Sequence, residues 1–389
     1  MSTDISSLMA FLVPQKSPEY LDKLIEKIND GQVNWEELLF QANFHLCTPL
    51  WYSQLKKDGL LDLLPDELAK YLFYIYELNM ERNEQFQVAL EEILRVFNKH
   101  SIDSILLKGA ATYCDNLFEL GTRVMGDLDI LVPIEKVPLC QNLIVSLGYK
   151  PIYELELQDN KMPLDEREHH IARHEKLGTP VVVEIHFKVS HGQAGRVFKS
   201  DELWSQRTAV KFRGCNTSIL SPNHRLLLNT VHAMIPLREY LSGNISVLQW
   251  SEFVFLINRY GQLIDWKQWL SIAKNKGFSD MFKLYYLFAM KYFQIPKNKY
   301  IDVSGYYLKF NEERLLLISL YQNKLIKPSF FVQLKLHLFK LGYYVGLVKW
   351  LWNNQCYSED MTGFFERSKF CLKKLISKES RKNYWLKKL

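Results

Sequence analysis

The 389-residue sequence predicts an α+β protein, with a small mixed β-sheet flanked by N- and C-terminal helical regions. Three observations predict it. Residues 18–100 carry apolar positions at three-to-four spacing, the period of a half-buried helix. Between residues 101 and 220 the period shortens to short β-branched runs broken by Gly and Pro, the pattern of strands alternating with brief helices. From residue 221 the helical spacing returns. The expected division is therefore 1–100 helical, 101–220 an α/β core, and 221–389 helical with a basic tail.

"SPEYLDKLIEKI" opens the first clear helix, with Ser17 as cap and Pro18 in the first turn, where a missing N–H costs nothing. "PDELAKYLFYIYELNMERNEQFQVALEEILRVFNKH" (65–100) is a long run of helix formers, and Pro49 interrupts the helical reading between the two. "SIDSILLKG" (101–109) reads as a buried strand ending in Gly, "AATYCDNLFEL" as a helix, and "GDLDILVP" as a second strand closed by Pro133. "EKVPLCQNLIVSLGYK" reads as a helix ending at Gly148, and "IYELELQ" (152–158) as a strand. "REHHIARHEK", the turn "LGTP" and "VVVEIHFKV" (181–189) form a hairpin. "SPNHRLLLNTVHAMI" and "ISVLQWSEFVFLINRY" begin the C-terminal helices.

Composition narrows the function. With 48% hydrophobic and 24% charged residues the chain is that of a globular protein with a sizeable core. The net charge of +6 is local: from Arg367 onward nine Lys/Arg face one acid, Glu379, and the rest is near neutral. This is not the charge distribution of a protein that coats nucleic acid. The tail alternates apolar and basic residues. It reads as a solvated helix end, a dock for an acidic partner or leader peptide, or a nucleic-acid or membrane-surface contact. Six dispersed cysteines without a CxxC pair read as free thiols. With no basic stretch before the first apolar residues and no 18-residue apolar run, the expectation is a cytoplasmic protein without a transmembrane segment.

The chemistry concentrates in "RVMGDLDILV" (123–132). Side chains alternate along a strand, so Asp127 and Asp129 share a face while Leu128, Ile130 and Val132 turn to the core. Two close carboxylates repel, and a hard divalent cation such as Mg²⁺ removes the conflict. Glu184 is a third acid in an otherwise buried run, with His186 on its own face. Three converging carboxylates suit two-metal phosphoryl or nucleotidyl transfer. Gly109, at a strand-to-helix junction, lets phosphate approach the backbone, and Lys108 and Arg123 supply positive charge for a triphosphate. Each piece alone has a plain structural explanation: a DxD is often a turn, Gly ordinary punctuation, Arg123 a partner for Asp127. An EF-hand fits poorly, because Leu131 stands where the next oxygen ligand belongs and no loop glycine follows. The ordered set of strand, Gly, helix, hDhDh and a later hEh is the informative feature.

"LLKGAATYCDNLFELGTRVMGDLDILVP" followed by "VVVEIHF" resembles the polymerase-β-like nucleotidyltransferase superfamily. More narrowly it is similar to a largely uncharacterised bacterial nucleotidyltransferase family with an LKG…RxxxDhDhLV pattern. The likeness extends over most of residues 34–270 and takes in "VNWEELLFQANFHLCTPLWYSQL", "SPNHRLLLNTVHAM" and "LQWSEFVFLI". It implies a nucleotidyltransferase core that moves an NMP, AMP from ATP first among them, to an acceptor oxygen with two Mg²⁺ ions. Asp127 and Asp129 fall on the first two metal ligands, Glu184 on the third, and Lys108 and Gly109 on the phosphate turn. The implied acceptor is a small molecule, a peptide natural product or a glycan precursor. Two departures stand out. The usual Gly-Ser turn is Gly109-Ala110, and a later "W…D" helix reads Trp250, Ser251, Glu252.

His169, His170, His174, His186 and His191 crowd the hairpin, where strand alternation prevents all five from meeting as a zinc site. His170 or His186 lines an acceptor pocket, or each is simply a satisfied, partly buried histidine; His232 carries the same two readings. Two other classes stay open. One is a nucleotide- or peptide-binding module with weak or lost chemistry, which the Gly-Ala turn supports. The other is a tRNA-directed nucleotidyltransferase, which the near-neutral body opposes.

Overall fold

The computed structural model describes residues 5–152, 169–234, 245–276, 278–304 and 312. Five helices come first: α1 (Ile5–Phe11), α2 (Pro18–Asn29), α3 (Trp35–Phe44), α4 (Thr48–Lys57) and α5 (Asp66–Lys99). Ser17 caps α2, accepting a hydrogen bond from the Tyr20 N–H at 3.3 Å. Pro49 marks an interruption of the helical run, as expected: α3 ends at Phe44, and Pro49 occupies the first turn of α4, where no intrahelical N–H is needed.

The core follows as β1 (Ile105–Leu106), α6 (Lys108–Asp115), β2 (Leu128–Leu131), α7 (Val137–Ser146), β3 (Lys150–Pro151), β4 (His174–Glu175) and β5 (Val182–His186). It continues with α8 (Gly192–Gly195), α9 (Ser200–Ser205), β6 (Thr208–Phe212) and β7 (Cys215–Ile219). Among the described residues, seven strands form one mixed sheet in the order β3-β4-β5-β2-β1-β7-β6. Helix α6 is shorter than the sequence suggests because Asn116 turns left-handed (φ 50°) and ends it. The β6–β7 hairpin has no counterpart in the sequence reading. Its turn, Arg213-Gly214, has two consecutive positive φ angles (44° and 83°), as a two-residue hairpin loop requires. The segment read as the strand "IYELELQ" lies almost wholly outside the described residues, as does the basic tail.

Helices α10 (Pro222–Met234), α11 (Val247–Tyr260), α12 (Trp266–Asn275) and α13 (Ser279–Tyr292) complete the described chain. It divides into two compact units. The first joins residues 1–232, 247–269 and 289–296, and holds the sheet. The second takes in 233–246, 270–288 and 297–389. In the second, Phe282, Tyr285, Tyr286 and Phe288 are buried. Among the described residues no helix is long and apolar enough to cross a membrane, and Cys47, Cys114, Cys140 and Cys215 are free.

The two sheet faces have different tasks. Leu106, Leu128, Ile130, Val132, Val183 and Ile185 pack with Phe86, Leu90, Ile93, Leu94 and Phe97 of α5 and Cys140 and Ile144 of α7. Ile105, Leu107 and Leu131 point the other way, into a smaller cluster with Leu203 of α9 and Leu228 of α10. Asp129, Glu184 and His186 share this second face.

At the end of α3, His45 is 6% exposed and its Nε2 has no hydrogen-bond partner. Burial pushes its pKa down to about 4. The unfolded chain therefore binds a proton between pH 6.5 and 4 that the native state refuses. Stability is full above the unfolded pKa and declines as pH falls through that window, by about 3 kcal/mol. Urea titrations at pH 7 and pH 4 should show that slope, and His45→Gln should remove this residue's share of it.

Candidate active site

Strands β2 and β5 run parallel, and their register sets Asp129 opposite Glu184 and Leu131 opposite His186. Neighbouring residues in register point to the same face, so the two acids and the imidazole meet. Their ligand atoms lie within 4.8 Å of one another, the one such group of three among the described residues. Asp129 is 1% exposed and His186 0%.

His186 stands between the acids. Its Nε2 is 2.8 Å from Asp129 Oδ1 and 3.3 Å from Glu184 Oε2, and its Nδ1 is 3.2 Å from the Lys188 carbonyl. Both nitrogens face acceptors, an arrangement that favours the doubly protonated ring. Burial opposes that charge, but the hydrogen bonds to Asp129 and Glu184 outweigh it and raise the pKa. Lys108 Nζ donates to the same Asp129 oxygen at 2.6 Å. Burial works against Asp129 too, yet Lys108 and His186 hold its carboxyl well below the usual range. Glu184 is likewise lowered: burial opposes its charge, and the His186 hydrogen bond prevails.

Asp127 lies at the rim, its side chain 31% exposed. Burial, then the charges of Asp129 and Glu184, push its pKa up to about 6. The sequence reading passed over Arg173, whose Nε is 3.1 Å from Glu184 Oε1 and whose Nη2 is 3.9 Å from Asp127 Oδ2. The protein's own Lys108, His186 and Arg173 thus counter three carboxylates. Asp129 Oδ2 is still buried without a hydrogen-bond partner, a costly state for a carboxylate oxygen. Two or three carboxylates with one unmet oxygen are a fitting donor set for a hard divalent cation.

Arg123 is placed elsewhere than the sequence suggested. Its Nε and Nη2 both lie 3.0 Å from Glu252 Oε2 on α11. Its Nη1 reaches the Val124 carbonyl at 3.2 Å and the Met125 sulfur at 3.1 Å. At 8% exposure it is a buried ion pair, with its polar atoms committed. The Trp250-Ser251-Glu252 departure thus supplies the partner of Arg123. Gly109 also acquires a different reason. A Cβ there would overlap the Arg123 guanidinium, with Cζ at 2.8 Å and Nη1 closer, and the Met125 sulfur at 2.7 Å. Gly109→Ala should therefore destabilise by about 1–3 kcal/mol, because the atoms it meets are pinned; a drop in melting temperature without aggregation checks this.

Helix α5 holds the loop before β2 from behind. Asn79 donates to the carbonyls of Gly121 (2.7 Å) and Arg123 (3.1 Å). Asn83 donates to Leu120 (2.5 Å) and Arg123 (2.8 Å), and Arg82 to Met125. Asn79 and Asn83, both buried and four apart, interrupt an apolar helix face, which was the available signal. Lys108, at the β1–α6 junction, is left-handed (φ 43°), a conformation that costs a non-glycine residue about 1–3 kcal/mol.

The hairpin histidines gather around His169, with ring centroids 4.4 Å from His170, 4.7 Å from His191 and 5.2 Å from His186. His170 Nε2 is 3.8 Å from Glu184. His232 lines a cavity of about 20 Å³ with Lys108, Arg225 and Glu252, room for one water. Burial pushes its pKa down to about 3, with Lys108 adding to the effect.

No curated protein and no solved structure matches the chain. Residues 31–294, about two thirds of the sequence, match the family model described as an uncharacterised nucleotidyltransferase. An acid-bearing strand pair in a mixed sheet, within a match of that extent, places the chain in that nucleotidyltransferase family.

Proposed function

We propose that the protein is a Mg²⁺-dependent, polymerase-β-like nucleotidyltransferase. It moves an NMP, AMP from ATP first among them, to an acceptor oxygen of a small molecule, a peptide natural product or a glycan precursor. The observation that carries this reading is Asp129 set in register with Glu184, with Asp129 Oδ2 buried and unmet. Asp127, Asp129 and Glu184 would hold the metal, which when bound activates the attacking oxygen and offsets charge on the triphosphate. Lys108 stands at the metal's edge for the triphosphate, and Glu184 accepts the acceptor's proton. His186 keeps Asp129 and Glu184 at fixed separation. His170, beside Glu184, faces the acceptor side, and His232 lies behind Lys108.

A second reading has its own support: the carboxylates are already countered by Lys108, Arg173 and His186. A module that binds nucleotide without turning it over would keep such a closed network. Calorimetry with ATP and Mg²⁺ beside a pyrophosphate-release assay decides. Binding with pyrophosphate release in the presence of a cell extract supports transfer. Binding alone, over all four NTPs and many acceptors, supports the module.

A further inference from the structure

Arg173 differs from the other cations of the cluster in its exposure. Its side chain is 47% open, against 18% for Lys108 and 0% for His186. It meets the most exposed of the three acids, Asp127, and the outer oxygen of Glu184, so one planar fork spans both at the solvent side. A carboxylate oxygen occupied by a guanidinium is not available to a metal ion. A phosphate, with denser charge and a matching pair of oxygens, is a better partner for that fork than two carboxylates at 3.1 and 3.9 Å. Lys108 has less freedom to change partners, being buried on a constrained turn.

We propose that Arg173 is a nucleotide-contacting residue of this site. Its guanidinium leaves Glu184, and the neighbourhood of Asp127, for a phosphate of the incoming triphosphate, which frees the Glu184 oxygen and uncovers Asp127 for the divalent cation. This rests on the nucleotidyltransferase reading and adds a coupling to it. Nucleotide and cation each raise the other's affinity, equally in both directions because the linkage is thermodynamic. In their absence the arginine keeps the acids neutralised.

The probes are Mn²⁺, followed by the electron paramagnetic resonance of the free ion, and α,β-methylene-ATP, followed by calorimetry. In the wild-type protein Mn²⁺ binds about tenfold tighter with the analogue than without it. In Arg173→Gln, Mn²⁺ alone binds about tenfold tighter than in wild type, the analogue about tenfold weaker, and the coupling shrinks. A merely structural arginine would loosen both ligands when removed. If Arg173→Gln does not fold, Arg173→Lys serves: its single ammonium spans one acid rather than two, so Mn²⁺ tightens and the analogue weakens in the same directions. Unchanged or weaker Mn²⁺ binding in the folded variant overturns the proposal. If that binding is equal to wild type yet lost in Asp129→Asn, the coupling fails while the metal reading stands. If Mn²⁺ binds neither protein, with or without the analogue, both fall.

Discussion

Asp129→Asn reduces nucleotidyl transfer by about a thousandfold or more, since a bound metal supplies several kcal/mol of transition-state stabilisation and each 1.4 kcal/mol is a factor of ten. The substitution also leaves Lys108 and His186 facing an uncharged amide in a site that is 1% exposed, so the melting temperature falls with it. Asp127→Asn separates the two effects. Asp127 is at the rim, with the Arg173 guanidinium 3.9 Å away, so its loss leaves the fold unchanged while transfer still collapses. Pyrophosphate release and circular dichroism on the two variants check this together. Transfer within tenfold of wild type in folded Asp127→Asn and Asp129→Asn would remove the metal-dependent reading.

The second large effect is on stability. Arg123→Met leaves Glu252, 5% exposed, as an uncompensated buried charge, and unfolding free energy drops by about 3–5 kcal/mol. The double variant Arg123→Met/Glu252→Met regains most of that loss, because removing both charges replaces an ion pair with apolar packing. Urea denaturation of the two single variants and the double closes the cycle. A double variant as unstable as the sum of the singles would show that the pair matters through packing against Gly109 and Met125 rather than through charge.

What the sequence made legible followed from period and local chemistry. The strand "DLDILV" declared which face was core, and Leu128, Ile130 and Val132 are in it. Glu184 was legible as an acid in a run meant for burial. Register was not: only pairing of β2 with β5 sets Asp129 against Glu184, and that is a long-range fact. Arg173, just before β4, escaped notice because a charged residue in a run read as one arm of a hairpin looks like ordinary solvent-facing alternation. Arg123 was read as a cation for the triphosphate, or as a partner for Asp127 four residues away, because Glu252 is on a helix far along the chain. The β6–β7 hairpin was missed because "KFRGCN" pairs Arg with Gly at a turn that Asn-Gly or Asp-Gly would have announced.

The separation of the parts has a consequence for biosynthesis. Lys108 leaves the ribosome well before Asp129, and Asp129 well before His186. For an interval each emerging charge lacks its mate. The edge of β2 lies bare until β5 is made, and the other edge of β1 longer still, until β7 follows.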